Sequence, residues 1–461
     1  MKRAPSETWI LNGTVMTQNS KRESFRAHLR IMDGRIVAIT RSRPARFAKG
    51  AKIIDAAGLT ILPGFVQAHV HLCQTLFRNQ ADDLELLDWL SKRIWVMEAA
   101  HSAETLRTSA LLGIHELLSS GTTAILDMGT VRHTTSIFKA VQETGIRASV
   151  GKCLMDNPRT TPKSLRDATE DAIREARTLY SEWHGRENDR IRVSYAPRFV
   201  ISCTERLLAE VASLARSQGA LIHTHASENL KEIQLVKELV QCENIEYLHQ
   251  LKMTSPHLVL AHCVWLKPNE KRLLARTGTH VVHCPSSNMK LASGFAHVPE
   301  LLESGINVAL GADGAPCNNN LDMFGEMRLA ALIHKPGAGP KAMHALEVLD
   351  MATRNGAKAL SWFEDIGSIE LGKKADLVAL DLNGFTNTIP TGQETRAEAI
   401  ASSVVYSSRP SDVRWTMVDG RMVYSQGKVT TISKRELMQA VRSAQKAIGK
   451  RIANPGTRSL Y

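Results

Sequence analysis

The chain contains no Cys-x-x-Cys pair; its seven cysteines stand singly at Cys73, Cys153, Cys203, Cys242, Cys263, Cys284 and Cys317. An odd, scattered set points to neither a disulfide framework nor a cysteine zinc site. Such residues read as small buried hydrophobes. No apolar run reaches the roughly 18 residues that a membrane span needs. The N-terminal stretch from Met1 to Trp9 lacks the apolar core of a secretory signal. The expectation is a cytoplasmic chain with no membrane partner. Aromatic residues are scarce, at 5%. There is no RNA-recognition signature, zinc finger or aromatic-rich basic stripe. The net charge of +12 raises the question of nucleic acid. That charge is spread along the chain, apart from a basic tail from Lys434 to Arg458 whose first part reads as an amphipathic surface helix. No nucleic-acid partner is expected.

What the chain does have is rhythm. Residues 1–60 are short apolar runs and turns, with a hairpin signal at Asp33-Gly34. Residues 369–432 return to that texture, with a second such turn at Asp419-Gly420. The two ends are read as one small β-sandwich, and residues 433–461 as a basic C-terminal helix and tail. Between them, residues 61–368 alternate short strand-like runs with helical patterns. The runs are Ala124–Met128, Ile191–Ala196, Ala220–His225, Leu258–His262, Thr279–Cys284 and Asn307–Asp313; the clearest helices lie between Glu205 and Ser217 and between Asn229 and Val240. Such βα alternation predicts an α/β fold with a parallel sheet, most simply a distorted (β/α)8 barrel, whose active site sits at the C-terminal strand ends.

Those strand ends carry the chemistry. Gly64-Phe-Val-Gln-Ala-His69-Val-His71 places two imidazoles two residues apart after a glycine turn. In a strand, i and i+2 point the same way, so both can grip one cation. His225, His262 and Asp313 each close a further run. His223, two residues before His225, competes for the ligand role; the tie is broken by Glu228, three residues past His225, because a metal-activated water needs a carboxylic acid to move protons. His223 is read as structural. His262 either ligates the metal or holds the water and polarises the substrate. Asp313, between alanine and glycine, binds the metal and accepts the proton from water. Three imidazoles and a carboxylate leave an open position, as a catalytic zinc site requires. Some hydrolases of this architecture bridge two metals with a carboxylated lysine, but the strand Ile191–Phe199 has none. One divalent metal is expected, zinc ahead of iron.

Taken in order, these residues resemble the amidohydrolase superfamily. So do Leu62-Pro-Gly-Phe65 and Ile366–Val378, and the likeness spans nearly the whole chain. Within it the chain looks like the methylthioadenosine/S-adenosylhomocysteine deaminases and their 5′-deoxyadenosine deaminase relatives. This second likeness rests on His262-Cys-Val, Ser286–Gly294, Asp313–Ala330 and the Asp82–Glu98 segment with Trp89. The resemblance implies that Glu98 meets the ribose hydroxyls and that Trp89 also contacts substrate; a helix-surface salt bridge is the other reading of Glu98. One position departs from that group: where its members carry histidine, this chain has Arg198, in a stretch (Ala196–Glu205) resembling guanine deaminases. Arginine donates only, so it grips an oxopurine carbonyl or an adenine ring nitrogen. The reading is a deaminase of a 6-aminopurine nucleoside modified at the 5′ position. Glu228 acts as acid and substrate contact, beside His262 and Asp313. An oxopurine deaminase and an s-triazine hydrolase are the alternatives. The implied partner is a small-molecule substrate, and relatives of this kind are often homo-oligomers.

Overall fold

A computed structural model describes residues 6–453. Eight strands form one all-parallel sheet in chain order: β1 (Phe65–Val70), β2 (Thr122–Thr130), β3 (Arg147–Leu154), β4 (Ile191–Pro197), β5 (Ile222–Ala226), β6 (Leu258–His262), β7 (His280–His283) and β8 (Val308–Leu310). Each is covered on both faces, and that is why they read as near-continuous apolar runs. Residues of β1, β2 and β3 are buried without exception. The ring closes where Val70 bridges Asp313 and the Asp313 N–H donates to the His69 carbonyl at 3.1 Å. This closure demands close backbone approach. A Cβ on Gly311 would lie 2.7 Å from the His69 carbonyl oxygen, so glycine is required there.

The connecting helices carry the local signals their sequences imply. The helix Glu205–Gln218 starts on Thr204, whose hydroxyl accepts from the Leu207 N–H, and stops at Gly219 in the left-handed region. The helix Leu230–Val240 starts on a capping box of Asn229 and Glu232. The C-terminal helix Lys434–Ala453 buries Leu437, Val441, Ala444 and Ile448, spaced along one face, and packs on the helix Ala103–Ser119. The rest of the basic tail, from Asn454 to Tyr461, lies outside the described residues.

Strands from both chain ends make a second, nine-stranded mixed sheet. Leu59–Pro63 from the first end pairs antiparallel with Leu377–Asp381 from the last. It encloses its own core, including Ile10, Leu29, Ile36, Ala379 and Met417. Both anticipated hairpins are present. Asp33 and Gly34 join Met32 to Arg35, and Asp419 and Gly420 join Val418 to Arg421, all four turn residues at positive φ. The two turns also meet each other: a Cβ on Gly420 would lie 2.7 Å from the Cα of Gly34.

β3 has no clear strand signature in the sequence. β3 contains Arg147, Gly151 and Lys152, which read as surface or loop residues, yet both cations are buried. Arg147 forks onto Asp376 with contacts of 2.7 and 3.0 Å, tying the barrel to the terminal sheet. Lys152 meets Asp167 at 3.0 Å and Glu175 at 2.8 Å. Removing one partner of a buried pair strands the other charge, at about 3–5 kcal/mol. Arg147→Met is therefore expected to lower the melting temperature by several degrees. An Arg147→Met chain that melts with the parent would deny the pair that role.

Candidate active site

At the C-terminal mouth of the barrel, ligating atoms of His69, His71, His225 and Asp313 all lie within 4.8 Å of one another. Their tautomers are set from behind. His69 Nδ1 meets His223 Nε2 at 2.8 Å, so His223 backs the cluster and leaves His69 Nε2 facing Asp313 Oδ1 at 3.2 Å. His225 donates from Nδ1 to the Arg198 carbonyl at 2.6 Å, which frees its Nε2, 3.2 Å from His71 Nε2. Two imidazole nitrogens this close repel or share a proton unless a cation sits between them. His69 Nε2 is fully buried and makes no hydrogen bond. Burial, then the neighbouring rings, hold His71 and His225 well below the ordinary histidine range. Neutral imidazoles with a converging carboxylate fit one divalent ion.

Asp313 is held from two sides. Ser287 Oγ donates to Oδ2 at 2.6 Å and its neighbour's Gly314 N–H to Oδ1 at 2.8 Å. Burial works against its charge, but the His69 ring 3.2 Å away and the other imidazoles around it outweigh that and keep it ionised. Opposite stands a second pair. His262 Nε2 lies 3.5 Å from Glu228 Oε2 and 3.9 Å from Asp313 Oδ2, while its Nδ1 is fixed by Asn288 Oδ1 at 2.8 Å. Burial pushes the Glu228 carboxyl up to about 7; Asp313 and Glu232 add to this and His262 opposes it. Ser227, His262 and Asp313 all adopt positive φ without being glycine. Backbone strain at three such positions around one cleft is the pattern of a functional site rather than of a stability core.

A narrow cleft opens over this group, lined by Leu86, Trp89, Leu90, Arg198, Phe199 and Leu291 as well as by the polar cluster. Arg198 and Glu98 do not act separately in this structure. They form a buried ion pair at 2.7 and 3.3 Å, and Gln74 Nε2 adds a third contact to Glu98 at 2.9 Å. Arg198 lines the cavity; Glu98 stands behind it and is not among the lining residues. The Glu98 salt bridge is thus real, but buried and not on a helix surface. Trp89 lines the cavity with its indole Nε1 buried and unpartnered.

Several neighbouring side chains brace these residues. Glu232 accepts from the N–H groups of Ser227 (3.2 Å), Glu228 (2.6 Å) and Asn229 (3.3 Å), clamping the turn that carries Glu228. Ser287, Asn288 and Ser293 each hold a site residue; Ser293 Oγ meets Glu228 Oε1 at 3.2 Å. The Asn229-x-x-Glu232 spacing was the one available signal, since it marks a helix start.

The pattern of the amidohydrolase family matches residues 60–423, and the chain belongs to that family. It is 39% identical over 394 residues to a 5′-deoxyadenosine deaminase of Methanobrevibacter smithii, covering 85% of this chain and 87% of the relative. It is 35% identical over 451 residues to a 5-methylthioadenosine/S-adenosylhomocysteine deaminase of Syntrophobacter fumaroxidans, covering 97% and 100%. An adenosine deaminase of Xanthomonas campestris, solved with bound zinc, superposes with a TM-score of 0.88 at 29% identity, over 96% of this chain and 99% of that one.

Proposed function

We propose that this protein is a metal-dependent aminohydrolase that deaminates a 6-aminopurine nucleoside lacking a free 5′-hydroxyl, of the 5′-deoxyadenosine, methylthioadenosine or S-adenosylhomocysteine type. The observation that carries the reading is the convergence of Glu228, His262 and Asp313 on the imidazole cluster at one cavity. The names of its relatives supply the substrate class. His69, His71, His225 and Asp313 would hold one divalent ion, and nitrogen and oxygen donors in this number suit zinc. Such an ion, when bound, lowers the pKa of a water toward about 7 so that hydroxide is available.

The chain's own groups do the rest. Asp313 Oδ2 accepts the proton released by the attacking water. His262, locked by Asn288, presents Nε2 to the nucleophile and to the oxygen arriving at C6. Burial raises the Glu228 carboxyl to about 7, so it carries its proton on the acid side of neutrality and in a good part of the molecules at it. It gives that proton to the ring nitrogen next to C6, so the adding oxygen builds no negative charge on the purine. Asp313 returns its proton to the amino group, the C6–N bond breaks to release ammonia, and the C6 hydroxyl passes its proton to Glu228, which leaves the inosine analogue and restores both carboxyl groups. Arg198, fixed by Glu98, offers its remaining N–H donors to the base, and Trp89 with Phe199 gives the base apolar walls.

The test is ammonia release by zinc-loaded enzyme from 5′-deoxyadenosine, methylthioadenosine, S-adenosylhomocysteine, adenosine and guanine. Turnover of the 5′-modified adenosines with guanine inert is expected. Guanine turnover with the adenosines inert would assign Arg198 to a carbonyl and overturn the substrate class.

A further inference from the structure

Downstream of β8 in the chain runs the helix Met323–Ile333, whose Glu326 is 2% exposed. A buried carboxylate usually answers to a cation. Among the described residues no lysine, arginine or histidine lies within ion-pairing distance of this one. Its partners are all neutral donors from the two segments that flank Asp313. From the short helix after β7 (Pro285–Lys290), the Ser286 hydroxyl and the Ser286 N–H (3.3 Å) donate to it. From the short helix after β8 (Ala315–Asn318), Asn318 Nδ2 donates at 2.8 Å.

Each partner leads directly to the site. Ser286 precedes Ser287, whose hydroxyl holds Asp313 Oδ2 at 2.6 Å. Asn318 uses the same amide nitrogen to reach the Ala312 carbonyl at 2.7 Å, one residue before Asp313. The two hydrogens of that NH2 group are then both spent, one on the residue before Asp313 and one on Glu326. Asp313 itself sits at φ +63, a left-handed conformation that is uncommon outside glycine even though aspartate tolerates it better than most, so the contacts around it help to set it. A carboxylate suits the hub because its two oxygens accept from several directions at once. A leucine of similar size would bury equally well and hold neither segment.

We propose that Glu326 is a positioning residue: it ties the Ser286–Ser287 and Ala312–Asn318 segments together and thereby fixes the attitude of Asp313 for metal binding and proton acceptance. Burial pushes its carboxyl up to about 7, the mark of an acid kept without a counter-charge for its geometry. The inference rests on the proposed role of Asp313. Its primary readout, zinc affinity, does not depend on which purine is turned over, so failure of the substrate assignment and failure of this proposal are distinguishable.

The experiment titrates metal-stripped full-length protein with zinc and follows turnover in the same preparations. Glu326→Ala is expected to weaken zinc binding about 10–100-fold and to lower kcat with KM little changed. Glu326→Gln, which keeps one acceptor oxygen, is expected to recover most of both. Ser286→Ala removes one donor, leaves Glu326 in place, and is expected to move zinc affinity in the same direction by less. It carries the test if Glu326→Ala does not fold. Parental zinc affinity in folded Glu326→Ala, or in Ser286→Ala where Glu326→Ala is insoluble, overturns the proposal. So does a loss of kcat that merely follows the fraction of folded protein, or a Gln variant no better than Ala.

Discussion

Replacing Glu228 with glutamine is expected to reduce kcat on the order of 10³-fold, within the range a positioned acid–base group contributes, while zinc affinity stays at the parental level. The substitution keeps shape and burial and removes only the proton that can be given away. Glu228 makes no contact with the imidazole cluster beyond His262, so metal retention separates lost proton transfer from lost structure. The pH profile supplies the second half of the result. The carboxyl is raised by burial to about 7. The protonated acid is therefore present below that pH and lost as pH rises through it. With Glu228 as donor, kcat/KM in the parent falls on the alkaline side of neutrality, and the residual rate of Glu228→Gln lacks that limb. Near-parental turnover in the variant would remove Glu228 from the mechanism.

Glu98→Ala is expected to have the next largest effect, and on two observables. It leaves the Arg198 guanidinium, 4% exposed, without its carboxylate. An uncompensated buried cation costs about 3–5 kcal/mol, so the melting temperature drops. KM also rises, because the arginine that faces the base loses the partner that aims it. The Glu98→Ala/Arg198→Met double variant recovers part of the lost stability and none of the lost affinity. Calorimetric melting of the parent, both single variants and the double closes the cycle. Single and double variants that melt alike would mean that the pair holds nothing.

The contrast between Glu228 and Glu98 shows where sequence runs out. His69-x-His71 was legible because strand geometry turns a two-residue spacing into a shared direction. His225, His262 and Asp313 were legible because each ends an apolar run and the strand ends of such a barrel meet at one mouth. The meeting of Glu98 with Arg198 was not, since the two lie 100 positions apart. The helical segment carrying Glu98 is also interrupted between Leu90 and Ile94 by a wider turn, so no simple periodicity aims it. Likewise β3 was invisible because its buried Arg147 and Lys152 are satisfied by carboxylates from distant segments, and pattern reading scores a buried cation as surface. Glu232 and Glu326 share that difficulty. Local spacing marked one as a helix start, and nothing local marked the other as a hub.

The closure at Val70 and Asp313 also bears on biosynthesis. The first two imidazoles leave the ribosome long before the aspartate that completes the set, with nearly the whole barrel sequence between them. Until the last strand docks beside the first, a nascent chain carries His69 and His71 and, once β5 has emerged, His225, but not the carboxylate that completes the set. On the proposed ligand set, the fourth arm arrives only with ring completion. A chain truncated before β8 would lack Asp313 and the closure at Val70 together.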